Sequence, residues 1–254
     1  MKCILIIAGS DSCGGAGIQA DIKAAYKLRY HAATVISAIT AQNSTSVVDI
    51  MPVDEDFIFK QLKAVLDDIV PDAVKIGMLF SAKAISVVLE FLKKYNLHPV
   101  VLDPIVKAST GASLLEEDGI DSLKRLFLAA DVITPNSWEA AFFTDMNINS
   151  IDDMKRAAIS LYRTGAKNIV ITGFSKEKEI FDLIYDGKQF SYIKDIKASY
   201  LHTHGSGCVY STSLSIFLAE GYPLKDAALL AHNFTKEAIL KGYPMGKGSG
   251  PVFP

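Results

Sequence analysis

The chain has little cysteine, no excess of basic residues and no long apolar run. Its three cysteines, Cys3, Cys13 and Cys208, form no CxxC pair, so neither a disulfide framework nor a structural zinc site is predicted, and we expect a cytoplasmic location. The formal net charge of −2 gives no basic surface for nucleic acid. No apolar stretch reaches the roughly 18 residues that a membrane-spanning helix needs. We therefore expect a small-molecule ligand, and neither nucleic acid nor a membrane as a partner.

Short apolar runs of strand-forming residues recur along the chain and alternate with helical patterns. Continuous runs of this kind are typical of strands that helices cover on both faces. The runs are residues 3–8, 33–40, 73–76, 99–102, 131–134 and 168–172. Helices are predicted over residues 18–28, 208–219 and 224–240, and another is predicted to start at Asp54. The pattern predicts an α/β fold with a mostly parallel central sheet and helices on both faces.

A hairpin is predicted at one edge of this sheet. Asp186-Gly187 is the strongest turn signal in the chain, and it lies between strand patterns at residues 179–185 and 188–194. No repeat, low-complexity linker or shift in composition divides the sequence. We therefore predict a single domain over residues 1–254 that carries an antiparallel edge hairpin.

Polar or small residues follow most of the predicted strands. Open parallel sheets bind ligands at the carboxyl ends of their strands. These ends hold residues 9–11, Gln42, Met78, Asp103, Asn136 and Thr172. We expect these residues to lie together around a ligand.

The segment Gly205-Ser206-Gly207-Cys208 directly precedes an apolar helical run. Backbone N–H groups at a helix start have no partner within the helix and favour anions, so this turn predicts a site for a phosphoryl group or an oxyanion. The same position predicts a partly ionised Cys208 thiol. Taken alone, the segment is more often a glycine turn before a small buried cysteine.

Two glycine motifs suggest other nucleotide sites but are incomplete. Residues 15–20 fit the dinucleotide pattern G-x-G-x-x-A, yet the second strand ends at Gln42-Asn43, where a nicotinamide dehydrogenase needs an acid for the ribose. Residues 242–247 resemble a P-loop but are one residue short and lack the Ser or Thr after Lys247. A dehydrogenase is therefore kept only as a rival hypothesis.

Phosphoryl transfer needs an anion site, a divalent cation and a group near the acceptor hydroxyl. Asp103 and Glu139 provide carboxylates that suit Mg²⁺. Structural roles are about equally plausible for each: Asp103 as the cap of the next turn, and Glu139 as half of a capping box with Asn136.

Several motifs occur in the order found in one known family. They are residues 9–21, 39–43, 75–79, 102–104, 133–136 with Glu139, and 203–208. With these motifs, essentially the whole chain resembles the ribokinase superfamily, in the branch of vitamin kinases that act on hydroxymethylpyrimidine and on pyridoxal. The resemblance implies a three-layer ribokinase-like fold and a homodimer. It also implies ATP- and Mg²⁺-dependent phosphorylation of a hydroxymethyl group on a heteroaromatic ring.

The resemblance also implies a role for each candidate residue. Gly205, Ser206 and Gly207 would form the anion hole, and Cys208 would take the hydroxyl proton or orient the alcohol. Gln42 would hydrogen-bond the substrate ring. The ring pocket would further include Gly9, Asp21, Met78 and Ile105, the nucleotide site Asn136, Thr172 and Thr203, and the metal site Glu139 and Asp103.

The choice of substrate depends on Gln42. Hydroxymethylpyrimidine kinases usually carry Ala-Gln-Asn at residues 41–43, whereas pyridoxal-preferring relatives tend to have an apolar residue instead of the glutamine, so we expect a thiamine-pathway kinase that also acts on the monophosphate. The alternatives are a pyridoxal or pyridoxine kinase, an enzyme that does both, and a non-catalytic binding protein. Ser206 and Cys13 depart conservatively from the family pattern, and a lysine often found near Thr172 is absent.

Overall fold

The apolar runs form the middle of a nine-stranded sheet in a computed structural model that describes residues 1–196 and 201–254. The strands are β1 (Cys3–Asp11), β2 (His31–Gln42), β3 (Val47–Pro52), β4 (Ala73–Ile76), β5 (Val100–Leu102), β6 (Val132–Ile133), β7 (Ile169–Lys176), β8 (Glu179–Tyr185) and β9 (Phe190–Ile196). Their order is β3-β2-β1-β4-β5-β6-β7-β8-β9. Strands β2, β1, β4, β5, β6 and β7 run parallel, and β3, β8 and β9 pair antiparallel.

Helices cover both faces of the sheet. They are α1 (Gly17–Lys27), α2 (Glu55–Leu66), α3 (Ala82–Tyr95), α4 (Gly119–Ala129), α5 (Ser137–Thr144), α6 (Ile151–Arg163), α7 (Ser206–Ala219) and α8 (Leu224–Leu240). Successive strand residues point to opposite faces, so Leu5 and Ile7 pack in the core that α2–α6 cover, while Ile4 and Ile6 pack toward α1 and α7. Helix α8 joins α7 over the far half of the same face. The predicted α/β sheet with helices on both faces is confirmed.

The edges of the sheet differ from the prediction. Strand β3, which pairs with β2, was not predicted because most of its residues are exposed and carry no core pattern. Helices α4 and α6 were also not predicted. The second hairpin strand begins at Phe190 rather than Lys188, because Asp186 Oδ1 accepts the N–H groups of Lys188 and Gln189 (2.9 and 2.7 Å) and thereby lengthens the turn.

The last helices and the tail bring the end of the chain back to its start. Helix α7 begins at Ser206, two residues earlier than predicted. After α8 the tail returns to the same region, where the His204 amide donates to the Gly250 carbonyl (3.2 Å) and the Val252 amide to the His204 carbonyl (3.1 Å). All nine described strands belong to one sheet, which supports the predicted division of the chain into a single domain. The single domain itself stays a prediction. Among the described residues, no helix combines the length and apolar character that crossing a membrane requires.

Candidate active site

A cavity of about 210 Å³ lies at the carboxyl ends of the parallel strands. It is bounded by the loops after β1, β2, β4, β5 and β6 and by the start of α7. Most of the predicted site residues line it: Gly9, Gln42, Met78, Asp103, Ile105, Asn136, Glu139, Thr203, Gly205, Ser206, Gly207 and Cys208. The parallel direction of the strands thus brings these distant stretches to one place.

A second cavity, of about 430 Å³, adjoins the first. Thr172 lines the second cavity but not the first, and the second cavity is also lined by residues of β8, β9 and α8. Asn136, Thr203, Ser206 and Gly207 line both cavities. The two spaces therefore meet at the first turn of α7, where groups held in each would come into contact.

The first turn of α7 has the geometry of an anion site. Gly205 occupies the N-cap with φ of 84°, and no side chain caps the helix there. A Cβ on Gly205 would lie 1.9 Å from the Gly15 carbonyl oxygen, so only glycine fits. The Ser206 N–H donates to the Thr203 carbonyl (3.1 Å), so the N–H groups that face a ligand at the positive end of the helix dipole are those that follow it, of Gly207 and Cys208.

The state of Cys208 differs from the prediction. Its side chain lies at this turn, but it is only 6% exposed. Burial raises the pKa of the thiol to about 12; Lys75 lowers it, and Asp21 and Asp103 raise it further. The expected partly ionised thiol is therefore wrong, because desolvation outweighs the effect of the helix start.

Asp21 does not line the ring pocket as expected. It is fully buried beneath the cavity, where its carboxylate accepts hydrogen bonds from Lys75 Nζ and Thr212 Oγ1, both at 2.8 Å. Lys75, to which the sequence analysis gave no role, does reach the cavity. Burial opposes its charge, but Asp21, Cys208 and Asp103 together hold the pKa of Lys75 above its usual value. A lone lysine in the apolar strand β4 is the signal that could have revealed it.

Asp103 and Glu139 form a pair of buried carboxylates. Burial raises the pKa of Asp103 to about 6, with Lys75 opposing the shift, and burial and Asp103 raise the pKa of Glu139 to about 8. Asp103 makes Glu139 harder to ionise, and Asp21 does the same to Asp103, so a cation would relieve this group of carboxylates. Within the described residues, no group of three or more His, Cys, Asp or Glu side chains is arranged to hold a metal ion. A cation here would need further oxygen ligands, such as phosphates or water.

The predicted capping box is present at the start of α5. Asn136 Oδ1 accepts the Glu139 amide, and the Glu139 carboxylate accepts the Asn136 amide, both at 2.9 Å. Glu139 therefore has a structural role, and its carboxylate also lines the first cavity. The two readings of the sequence, a cap and a ligand, are compatible.

His204 also lies in the first cavity, and the sequence analysis did not assign it a role. Its Nε2 lies 3.0 Å from Asp11 Oδ2 and 3.5 Å from the Gln42 side-chain amide. A Cβ on Gly15 would meet the His204 ring at 2.2 Å. The glycine-rich loop after β1 and the loop before α7 are thus in direct contact, which the spacing of their glycines did not indicate.

A ribokinase-like fold, an anion site at a helix start and a buried carboxylate pair at the meeting of two cavities define a small-molecule kinase of the ribokinase-like class. Residues 11–253 match the family described as phosphomethylpyrimidine kinase. The chain belongs to this family.

Similar proteins agree with this assignment. The hydroxymethylpyrimidine/phosphomethylpyrimidine kinase of Bacillus subtilis is 40% identical over 98% of this chain and 93% of its own length. A thiamine biosynthesis bifunctional protein of Geobacter sulfurreducens is 39% identical over 98% of this chain and 51% of its own length. Among solved structures, phosphomethylpyrimidine kinase of Clostridium difficile has a TM-score of 0.83 at 36% identity and covers 94% of this chain and 100% of its own. An ADP complex of Bacillus subtilis pyridoxal kinase has a TM-score of 0.90 at 33% identity over 99% and 96%.

Proposed function

We propose that this protein transfers the γ-phosphoryl group of ATP to the hydroxymethyl group of 4-amino-5-hydroxymethyl-2-methylpyrimidine, and then phosphorylates the resulting monophosphate, in thiamine biosynthesis. The observation that carries the proposal is the junction of two cavities at the first turn of α7. The smaller cavity, which contains Gln42, takes the pyrimidine. The larger one takes the nucleotide, with Asn136, Thr172 and Thr203 as its contacts.

The residues at the junction suit phosphoryl transfer. Gly205, Ser206 and Gly207 form the turn around the transferred group, in which the Ser206 N–H is taken by Thr203, and Lys75 adds a buried positive charge close to Cys208 and Asp103. Catalysis of this reaction consists mainly of positioning and charge stabilisation, so a neutral Cys208 thiol can serve by orienting the acceptor hydroxyl. This favours the second of the two roles expected for Cys208.

Asp103 and Glu139 are the residues that would hold Mg²⁺, because two buried carboxylates with raised pKa values fit a hard cation that takes its other ligands from phosphates and water. When bound, Mg²⁺ would neutralise charge on the phosphates.

Turnover of ATP with Mg²⁺ tests the proposal against hydroxymethylpyrimidine, its monophosphate, pyridoxal, pyridoxine and ribose. We expect the pyrimidine to have the highest kcat/KM of the unphosphorylated substrates, and the monophosphate to be converted as well. A protein that turns over neither pyrimidine would contradict the proposal.

A pyridoxal kinase is the second candidate. It is supported by the structural similarity to the pyridoxal kinase described above and to a Staphylococcus aureus pyridoxal kinase that was solved with AMP-PCP and pyridoxal (TM-score 0.90, 32% identity). Turnover of pyridoxal without turnover of the pyrimidine would select it. Comparable turnover of both substrates would indicate one enzyme with two activities.

We further propose that the protein is a cytoplasmic homodimer. Edge strands β3 and β9 each pair with a single neighbour in the described sheet, and Val48 and Met51 on β3 are exposed, so an edge is available for a second copy. The free thiols of all three cysteines support a reducing compartment. Sedimentation of the full chain is expected to give a dimer, and a monomer at micromolar concentration would contradict this.

A further inference from the structure

Asp11, at the end of β1, is surrounded by hydrogen-bond donors. The amides of Cys13, Gly15 and Ala16 donate to its carboxylate over 2.8, 3.0 and 2.8 Å. Burial raises the pKa of Asp11, but hydrogen bonds from His204 and from the amides of Ala16 and Cys13 outweigh burial and hold the pKa below its usual value. Amides only donate, so the carboxylate is fixed as an acceptor. The Nε2 atom of His204, 3.0 Å from Oδ2, therefore carries a hydrogen.

This hydrogen is donated to Asp11, and the same N–H of His204 also faces one end of the Gln42 carboxamide at the longer distance of 3.5 Å. An amide nitrogen and a protonated ring nitrogen are both donors and cannot bond to each other. Oxygen and nitrogen of a carboxamide are told apart by their surroundings, so the atom beside this N–H is the oxygen, which accepts a weak share of the hydrogen that Asp11 holds.

Thr40 leads to the same orientation by a separate argument. Its Oγ1 lies 3.1 Å from the Ser10 carbonyl oxygen and 3.2 Å from the other end of the Gln42 carboxamide. The carbonyl oxygen is purely an acceptor, so it takes the single hydroxyl hydrogen of Thr40. The Gln42 atom next to Thr40 must then be the donor, which is the amide nitrogen.

We propose that His204 is a positioning residue that fixes the Gln42 carboxamide with its oxygen toward His204 and its nitrogen toward Thr40. The His204 ring is held by Asp11 at 3.0 Å, and its backbone by the tail through Gly250 and Val252, so the ring does not follow a rotating amide. The second hydrogen of the amide nitrogen and the second lone pair of the oxygen remain for a ligand in the cavity.

The fixed orientation has a consequence for the substrate, and this step rests on the proposed function. In the aminopyrimidine, the ring nitrogen N3, the 4-amino group and the 5-hydroxymethyl group follow one another around the ring. The amide oxygen accepts from the 4-amino group and the amide nitrogen donates to N3. Because the oxygen lies on the His204 side, the hydroxymethyl group is directed toward Gly205 and the first turn of α7. A reversed amide would direct it away from the anion site.

A double-mutant cycle tests whether His204 acts through Gln42. We expect His204→Leu to lower kcat/KM for hydroxymethylpyrimidine by roughly 10-fold or more, since the contact that orients the amide is lost and a reversed amide mismatches the substrate edge. His204→Gln, which retains a donor at a similar reach, is expected to recover most of this loss. In a Gln42→Ala background, His204→Leu should change kcat/KM by less than about threefold, because the coupling partner is gone. The KM for ATP should stay unchanged throughout.

An equal loss in both backgrounds would overturn the inference, because His204 would then act on the loops rather than on Gln42. The proposed function fails separately, if the wild-type protein does not phosphorylate the pyrimidine. For that case a neutron structure of the ligand-free protein reads the amide directly: deuterium on the Gln42 atom beside Thr40 supports the orientation, and deuterium on the atom beside His204 overturns it.

Discussion

At the residue scale, the site combines charges that the interior would not accept singly. Lys75 is fully buried and paired with Asp21 at 2.8 Å, and both lie close enough to Cys208 and Asp103 to shift their pKa values. A buried ion pair of this kind is costly to break, because either partner left alone is an unpaired charge. The pairing with Asp21 therefore holds the charged ammonium group of Lys75 beside the cavity, and no ligand is needed to keep it there.

Replacing Cys208 by alanine is expected to lower kcat by about 100-fold or more while KM changes by less than about threefold, because the thiol contacts the reacting hydroxyl rather than the ring. Steady-state kinetics with hydroxymethylpyrimidine measures both constants. Cys13→Ser is the matched control, since Cys13 is a half-buried thiol that does not line the cavity. Unchanged kcat in a folded Cys208→Ala protein would remove Cys208 from the mechanism.

Replacing Gln42 by methionine is expected to shift preference from the pyrimidine toward pyridoxal. The polar edge of the aminopyrimidine would lose its partners, so the ratio of kcat/KM for the two substrates should fall by roughly 10-fold or more. Parallel assays on both substrates give this ratio. The backbone of Gln42 bonds Ser12 Oγ in both directions at 2.8 Å, so an equal loss for both substrates would indicate a disturbed loop instead.

At the scale of elements, the proposed anion site is built on contact between the loop after β1 and the loop that enters α7. Gly205 touches Gly15, and His204 touches Asp11, across this contact. Both loops start or end rigid elements, β1 and α1 on one side and α7 on the other. The position of the anion site therefore depends on how α1 packs against α7 on their shared face of the sheet.

Replacing Gly205 by alanine is expected to abolish turnover and to destabilise the protein, because its Cβ would lie 1.9 Å from the Gly15 oxygen. Gly221→Ala is the matched control, since Gly221 has a similar φ of 88° but no atom within 4 Å of an added Cβ. The control should cost only about 1 kcal/mol of left-handed strain and keep its activity. Thermal unfolding and kinetics of both variants compare the two effects, and equal behaviour would show that strain, not contact, matters at residue 205.

At the scale of the whole molecule, α8 is tied to the antiparallel end of the sheet. His232 on α8 lies 2.7 Å from Asp182 on β8 and 3.4 Å from Asp195 on β9, and Lys236 pairs with Asp195 at 2.5 Å. These pairs line the second cavity, so they join the helix and the hairpin that form the proposed nucleotide site.

The His232 pairs predict a pH-dependent stability. Burial lowers the pKa of His232, but Asp182 and Asp195 outweigh burial and raise it above its usual value. A histidine of raised pKa stabilises the fold fully below its unfolded value of about 6.5, and this contribution is lost as the pH rises through the folded pKa. Denaturant unfolding should therefore show the largest destabilisation by His232→Gln near pH 6, and a smaller one by pH 9. His31→Gln is the control, since it changes an exposed histidine at the start of β2. A destabilisation by His232→Gln that does not depend on pH would contradict the prediction.

The sequence by itself determined the features that depend on neighbouring residues. Apolar runs gave the buried strands, and Asn136 with Glu139 gave the capping box, because side-chain direction in a strand and hydrogen bonding at a helix start are local. The gathering of Gly9, Gln42 and Asp103 also followed, since parallel strands end at the same edge of the sheet. Family motifs supplied the class of reaction.

Only the tertiary structure decided which partners the buried polar side chains of the site have and whether they are charged. Asp21 pairs with Lys75 across 54 residues and His204 meets Asp11 across 193, so no local pattern predicts either contact. The neutral thiol of Cys208 has the same origin. A helix start favours the thiolate, but desolvation by packed neighbours is stronger, and how much water is removed from a side chain is settled only when distant segments pack together.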